Sequence, residues 1–263
     1  MIVEQDNEPL KDEVRDYWNA HPCGTQFTHL EWGSKEFFEE VERFRYETQP
    51  FMREVMEFDR HGGEHLLEVG CGLGTDLIQF ARGGALVTGV DLTPASAELV
   101  KRRLALYGLP GDAQVADAER LPFPDNSFDV VYSFGVLHHT PNTPRAVDEV
   151  YRVLKPGGRI IIMLYHRRSW HVQVGIWYAR MKNKLRLQAD AADDWIRQYD
   201  GVDNPLGKAY SRSEIRTMFR RFADLRIMTV DPLRRGLSPA MNVINQKFFA
   251  SWWGFWLVMK GRK

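Results

Sequence analysis

Two cysteines in 263 residues are too few for a disulfide framework. One of them, Cys71, sits between glycines, where a bridge would obstruct any ligand the loop receives. Charge of one sign is also missing: 35 basic residues balance 35 acidic ones. No global field therefore draws the chain to nucleic acid or to a membrane surface, and no nucleic-acid partner is expected. No apolar run reaches spanning length. The longest, Phe248 to Met259, is interrupted by Ser251, so stable membrane insertion is not expected. The first eight residues are acidic and lack the basic and apolar regions of a signal peptide. A cytoplasmic, soluble protein is expected, with no metal. There is no internal repeat, and nothing bears on oligomeric state. Length and a hydrophobic content of 44% fit one large α/β domain with an appendage.

What is present is organised around Leu66 to Asp91. Leu66, Leu67 and Val69 form the short apolar run of a strand covered on both faces. Gly70, Gly72 and Gly74 let the backbone turn tightly and approach a ligand without an intervening Cβ. A helix beginning near Thr75 or Asp76 points its first free N–H groups into the same space. Asp91 ends a second strand 21 residues after Gly70, where an acid can accept both hydroxyls of a ribose. The unit reads as a binding site for a nucleoside-containing cofactor. The dinucleotide fingerprint needs G-x-G-x-x-G, and here Thr75 takes the place of its last glycine.

Glu68-x-Gly70-x-Gly72-x-Gly74 resembles the first motif of the class I S-adenosylmethionine-dependent methyltransferases. The resemblance continues through Asp91, Asp117-Ala118 with Leu121-Pro122-Phe123, Phe128-Asp129-Val130-Val131 and Arg152 to Gly158. The chain is most similar to the branch holding ubiquinone- and menaquinone-pathway enzymes and many small-molecule methyltransferases. The resemblance implies a Rossmann-like α/β fold, with a seven-stranded, mostly parallel sheet of order 3-2-1-4-5-7-6. Strand 7 would be antiparallel, with helices on both faces. It also implies S-adenosylmethionine as cofactor. Glu68 and Gly70 would line its methionine end, Gly72 would allow close approach, and Asp91, followed by Leu92, would hold the ribose. Asp117 would accept from the adenine amino group, the Ala118 N–H would reach a ring nitrogen, and Phe134 would offer its carbonyl to the methionine amino group. Plainer readings stand beside two of these: Glu68 pairing with a lysine, and Asp117 capping a turn.

Residues 1–60 read as helices over 11–19, 35–46 and 50–58. Related enzymes use such helices as a lid, although Tyr17, Trp18 and Trp32 are equally explained by packing. Residues 61–263 are expected to form the methyltransferase domain, with a helical cap inserted at about 167–210. Within that cap the stretch 167–186 is basic and free of acids. Trp170, Val174, Trp177, Met181 and Leu185 recur there at helical intervals, as on a cap helix or on one lying at a membrane. Gly175 weakens it as an isolated helix. Strands are expected over 113–117, 128–134, 159–164, 225–230 and 252–259. The helix over 144–154 is expected to be stopped by Pro156-Gly157-Gly158.

The donor's sulfonium is already an activated leaving group, so the protein must align the reactants, exclude water and, for a protonated nucleophile, provide a base. His138 and His139 follow strand 4, where the methyl would be exposed, and either is a candidate base. Some relatives pair such a histidine with a tyrosine of the N-terminal helix, a part open to Tyr17. Tyr165, His166, Trp18 and His21 are candidate substrate contacts. The expected acceptor is a small molecule, lipophilic ones included. Two alternatives stay open: an RNA or protein methyltransferase docking through 167–186, and a non-catalytic cofactor-binding module.

Overall fold

Leu66 and Leu67 are both fully buried, because neighbouring residues of β1 (His65–Val69) face opposite sides of a sheet covered on both. In the computed structural model, which describes residues 7–181, 190–201, 203–230 and 250–263, β1 lies at the centre. It pairs in parallel with β2 (Leu86–Asp91) on one side and β4 (Phe128–Phe134) on the other. β3 (Gly111–Val115) and β5 (Leu154–His166) extend the sheet outward. β7 (Ala223–Val230) and β8 (Trp256–Arg262) complete the path β3-β2-β1-β4-β5-β8-β7, with β8 antiparallel to both neighbours. A two-residue strand, β6 (Ala209–Tyr210), adds to the end of β5. With that short strand left out of the count, the order is the expected 3-2-1-4-5-7-6. The winding reverses between β1 and β4, which opens a crevice beyond their carboxyl ends.

Local signals fix the crossover helices. α4 (Thr75–Arg82) starts directly after Gly74. α5 (Pro94–Tyr107) is capped by the Thr93 side chain, which accepts from the Ser96 N–H, and ends at left-handed Gly108. α6 (Thr143–Val153) is capped in the same manner by Asn142.

Before β1, α1 (Glu8–Ala20), α2 (Lys35–Thr48) and the short α3 (Met52–Val55) run across the carboxyl side of the domain. Phe37, Phe38 and Val41 of α2 pack on Leu73 in the glycine loop. Arg103 of α5, fully buried, ties the two together. Its guanidinium donates to the carbonyls of Leu73 (3.1 Å) and Phe38 (3.3 Å), to the Thr75 hydroxyl (3.0 Å) and to Glu42 (2.8 Å). After β5 come α7 (Trp170–Met181), α8 (Ala191–Asp200) and α9 (Arg212–Met218), the last opened by the Ser211–Glu214 capping box.

Several expectations shift. α3 covers only part of 50–58. α6 ends at Val153 because Leu154 already has extended geometry and begins β5, so the Pro156-Gly157-Gly158 segment lies within the strand rather than stopping the helix. β8 starts at Trp256, since Trp252 and Trp253 belong to a short helix, Ala250–Trp253. On α7 the apolar stripe faces outward: Trp170, Val174, Trp177 and Met181 are exposed, whereas Val172, Gly175, Ile176 and Ala179 are buried. Gly175 decides this, because a Cβ there would stand 2.3 Å from the Trp195 ring of α8. The small residue lets the two helices come into close contact. Lys182, Lys184, Leu185 and Arg186 lie outside the described residues. Among the described residues no helix is long and apolar enough to cross a membrane.

Candidate functional site

The glycine loop leaves β1 with Gly70 at φ +76°, and a Cβ at that residue would lie 2.2 Å from the Val136 side chain. Gly72, at φ +50°, has no heavy atom of the described residues within 4 Å of where its Cβ would stand, so its backbone is open to a ligand. Asp91 holds the loop in place. Its Oδ2 accepts from the Gly72 N–H (2.9 Å), and its Oδ1 accepts from the Thr93 N–H (3.0 Å) and hydroxyl (2.8 Å). Burial raises the Asp91 carboxyl despite these donors. Loop and acid line a cavity of about 600 Å³, together with Glu68, Leu92, Ala118 and Phe134.

Two carboxylates near the loop behave in opposite ways. Asp76, at the start of α4, accepts from Arg45 Nε (2.8 Å) and from the hydroxyls of Tyr46 (2.8 Å) and Tyr132 (2.7 Å). Glu68 is buried with its Oε2 unpartnered, and burial, followed by the negative Asp76, pushes its carboxyl well up. The alternative of a Glu68–lysine pair has no counterpart among the described residues. A raised acid binds more protons folded than unfolded. Its contribution to stability is full below the unfolded pKa near 4.5 and is lost as pH climbs through the folded value. Glu68→Gln is therefore expected to melt higher than the parent, by about 2–4 °C for each kcal/mol relieved in a domain of this size. Melting curves from pH 5 to 8 check this: the gap should widen with pH, and a constant gap would mean that Glu68 ionises freely.

At the far end Asp117 accepts from Lys11 Nζ of α1 (2.8 Å) and from the Glu119 N–H (2.8 Å). Lys11 also pairs with Glu119 (3.0 Å). Burial alone would lower the Lys11 ammonium, but the two carboxylates hold it above its ordinary value. The turn-capping reading of Asp117 is thus realised, and the carboxylate still borders the cavity.

At the other end the two histidines part company. His139 lines the cavity, and His138, fully buried behind it, does not. Burial, then the neighbouring His139, takes the His138 imidazole down to about 4. Nδ1 of His139 meets the Leu206 carbonyl. Nε2 of His139 stands 3.3 Å, and that of His138 3.8 Å, from Oδ2 of Asp200. The Tyr165 hydroxyl donates to the other oxygen of Asp200 (2.6 Å). Trp18 of α1 packs edge-on against His139, ring centres 5.1 Å apart. Tyr17 and His21 also line the cavity, with burial and then Asp200 raising the Tyr17 phenol.

His166 departs from expectation. It is buried, bonded through Nδ1 to the Gly254 carbonyl (3.0 Å), and absent from the cavity wall. Consecutive residues of β5 face opposite sides, so Tyr165 and His166 cannot share a cavity. Asp200 was missed altogether. It ends an acidic helix 61 residues beyond His139, with no local pattern to single it out. Arg45 was missed as well, for it reads as one more charge on an amphipathic helix. Cys23 and Cys71 are both free, and both line the cavity.

Residues 67–162 match the family model described as a methyltransferase domain. Over 100 residues the chain is 38% identical to a sterol 4-C-methyltransferase of Caenorhabditis elegans, covering 37% of this chain and 30% of that protein. Over 107 residues it is 40% identical to a demethylmenaquinone methyltransferase of Symbiobacterium thermophilum, covering 38% and 42% respectively. The chain thus spans less than half the length of these curated relatives. Among solved structures, the PH0226 protein of Pyrococcus horikoshii superposes with a TM-score of 0.59 at 18% identity, over 94% of this chain and 98% of that one. That likeness concerns the fold alone.

Proposed function

We propose, from the methyltransferase domain that the chain carries over residues 67–162, that the protein transfers a methyl group from S-adenosylmethionine to a small-molecule acceptor. One observation carries the reading: a single cavity joins the Gly70–Asp91 cradle to the His139–Asp200 end, so cofactor and acceptor share one enclosed space. Glu68 and Phe134 face the methionine part, Asp91 and Leu92 the ribose, and Asp117 and Ala118 the adenine. Ionisation of Glu68 beside the cofactor's ammonium couples binding to loss of a proton. The acceptor's nucleophile attacks the methyl carbon in line with the C–S bond. That bond breaks with its electron pair going to sulfur, leaving a neutral thioether. His139, held by Asp200 and walled by Trp18, lies where the acceptor's proton must depart. Residues 7–60 form a lid that excludes water, and residues 167–181, 190–201 and 203–210 a cap. Phe27, Phe44, Met163 and Trp256 on the cavity wall favour an apolar acceptor, a class to which the named substrates of the sterol and demethylmenaquinone relatives belong.

S-adenosylmethionine and its demethylated product are both expected to raise the melting temperature, and NAD to leave it unchanged. Incubation with labelled cofactor and cell extract, followed by identification of the labelled product, names the acceptor. Cofactor binding with no label transferred to any acceptor would favour the non-catalytic module instead. Asp91→Ala is expected to weaken cofactor binding by ~1–3 kcal/mol, the range for a charged hydrogen-bond partner. Titration calorimetry checks this, and unchanged affinity would remove Asp91 from the ribose.

A further inference from the structure

We propose that His138, His139 and Asp200 form a binding site for a divalent transition-metal ion at the acceptor end of the cavity. The inference rests on the methyl-transfer reading only for what the ion does, not for whether it binds. One ligand atom from each residue lies within 4.8 Å of the other two. Two donors bound ~2.1 Å from one ion stand ~3.0–3.5 Å apart, depending on octahedral or tetrahedral angles. The separations from Asp200 Oδ2, 3.3 Å to His139 and 3.8 Å to His138, are close to that spacing.

Burial makes the case stronger than distance alone. His138 is fully buried, yet among the described residues neither of its ring nitrogens meets a partner in hydrogen-bond geometry, and neither does Oδ2 of Asp200. A simple His139–Asp200 ion pair leaves the His138 Nε2 orphaned beside it, and buried unpaired polar atoms are costly. One cation satisfies that nitrogen, Nε2 of His139 and Oδ2 together. Contacts around two of the three ligands also point them correctly. The Leu206 carbonyl accepts from Nδ1 of His139, which leaves the Nε2 lone pair free, and Tyr165 occupies the other oxygen of Asp200. Two imidazoles and one carboxylate suit zinc, iron(II) or cobalt(II), and suit magnesium poorly. Three protein ligands leave a coordination position open, and His139 and Asp200 turn it to the cavity. An acceptor hydroxyl taking that position becomes more acidic and loses its proton to solvent as it binds, before the lid shuts water out. Its oxygen then forms the bond to the methyl carbon while the C–S pair goes to sulfur.

The test uses the untagged full chain, stripped with a chelator and titrated with cobalt(II) alone. One equivalent is expected to bind, with the visible absorption bands of cobalt held by nitrogen and oxygen ligands. His139→Gln and Asp200→Asn, each confirmed as folded by its melting curve, should lose the bands. Tyr165→Phe should weaken binding ~10–100-fold through the carboxylate it orients. Absence of stoichiometric cobalt in the parent, or bands that persist in both ligand variants, overturns the site. The melting shift with S-adenosylmethionine, measured on the stripped protein, is independent of the ion. A lost metal site with a retained shift therefore leaves the proposed function standing.

Discussion

Alanine in place of His139 is expected to lower turnover ~10²–10⁴-fold at neutral pH, the usual contribution of a group that helps remove a proton in the transition state. Cofactor affinity should stay nearly constant, because His139 is not among the proposed cofactor contacts. The loss should shrink as pH rises toward 10, where a hydroxyl or ammonium acceptor begins to deprotonate unaided. His166→Ala should show no comparable chemical loss, since that ring points to the other face of the sheet and bonds the Gly254 carbonyl. Rates with the acceptor identified by label transfer, measured from pH 6 to 10, decide the matter. A His139→Ala enzyme with full activity at neutral pH would reduce the His139–Asp200 pair to a packing contact.

The second large effect concerns stability. Arg45→Met is expected to cost ~3–5 kcal/mol, because Asp76 would remain buried, with two tyrosine hydroxyls and no cation. Tyr132→Phe removes one hydrogen bond and leaves the ion pair, so ~1 kcal/mol is expected. Urea unfolding measures both. A small loss in Arg45→Met would mean that the two tyrosine hydroxyls alone hold Asp76. Cofactor binding should weaken alongside, since α4, which begins at the end of the glycine loop, is braced against α2 by this pair.

The sheet and its cradle were legible because their signals are local. A strand of Leu and Val, three alternate glycines and an acid ending the next strand carry their meaning within 26 residues. Alternation in a strand, applied to Tyr165-His166, separates those two as well. The acceptor end was only half legible. His138 and His139 stood out, but which one meets the cavity depends on a single turn of 3-10 helix over Leu137–His139. Asp200 arrives from a separate helix whose docking on α7 is set by Gly175 against Trp195. Contacts assembled from distant segments leave no periodicity to read. The α7 stripe shows the converse failure: period alone identifies a face without saying which way it points, and one glycine chose the opposite side.

The N-terminal helices are each fastened by ion pairs largely out of water. α2 is joined to the core through Arg45–Asp76 and Arg103, both largely out of water. α1 is tied to the cavity wall through Lys11, on Asp117 and Glu119, and through Trp18 on His139. The segment between them, from His21 to Ser34, contains Gly24 and Gly33, both at positive φ. Under the proposed reading, α1 leaves the cavity with the sheet intact once one ammonium parts from two carboxylates. Because Lys11 and Glu119 are nearly out of water, that step should respond little to ionic strength.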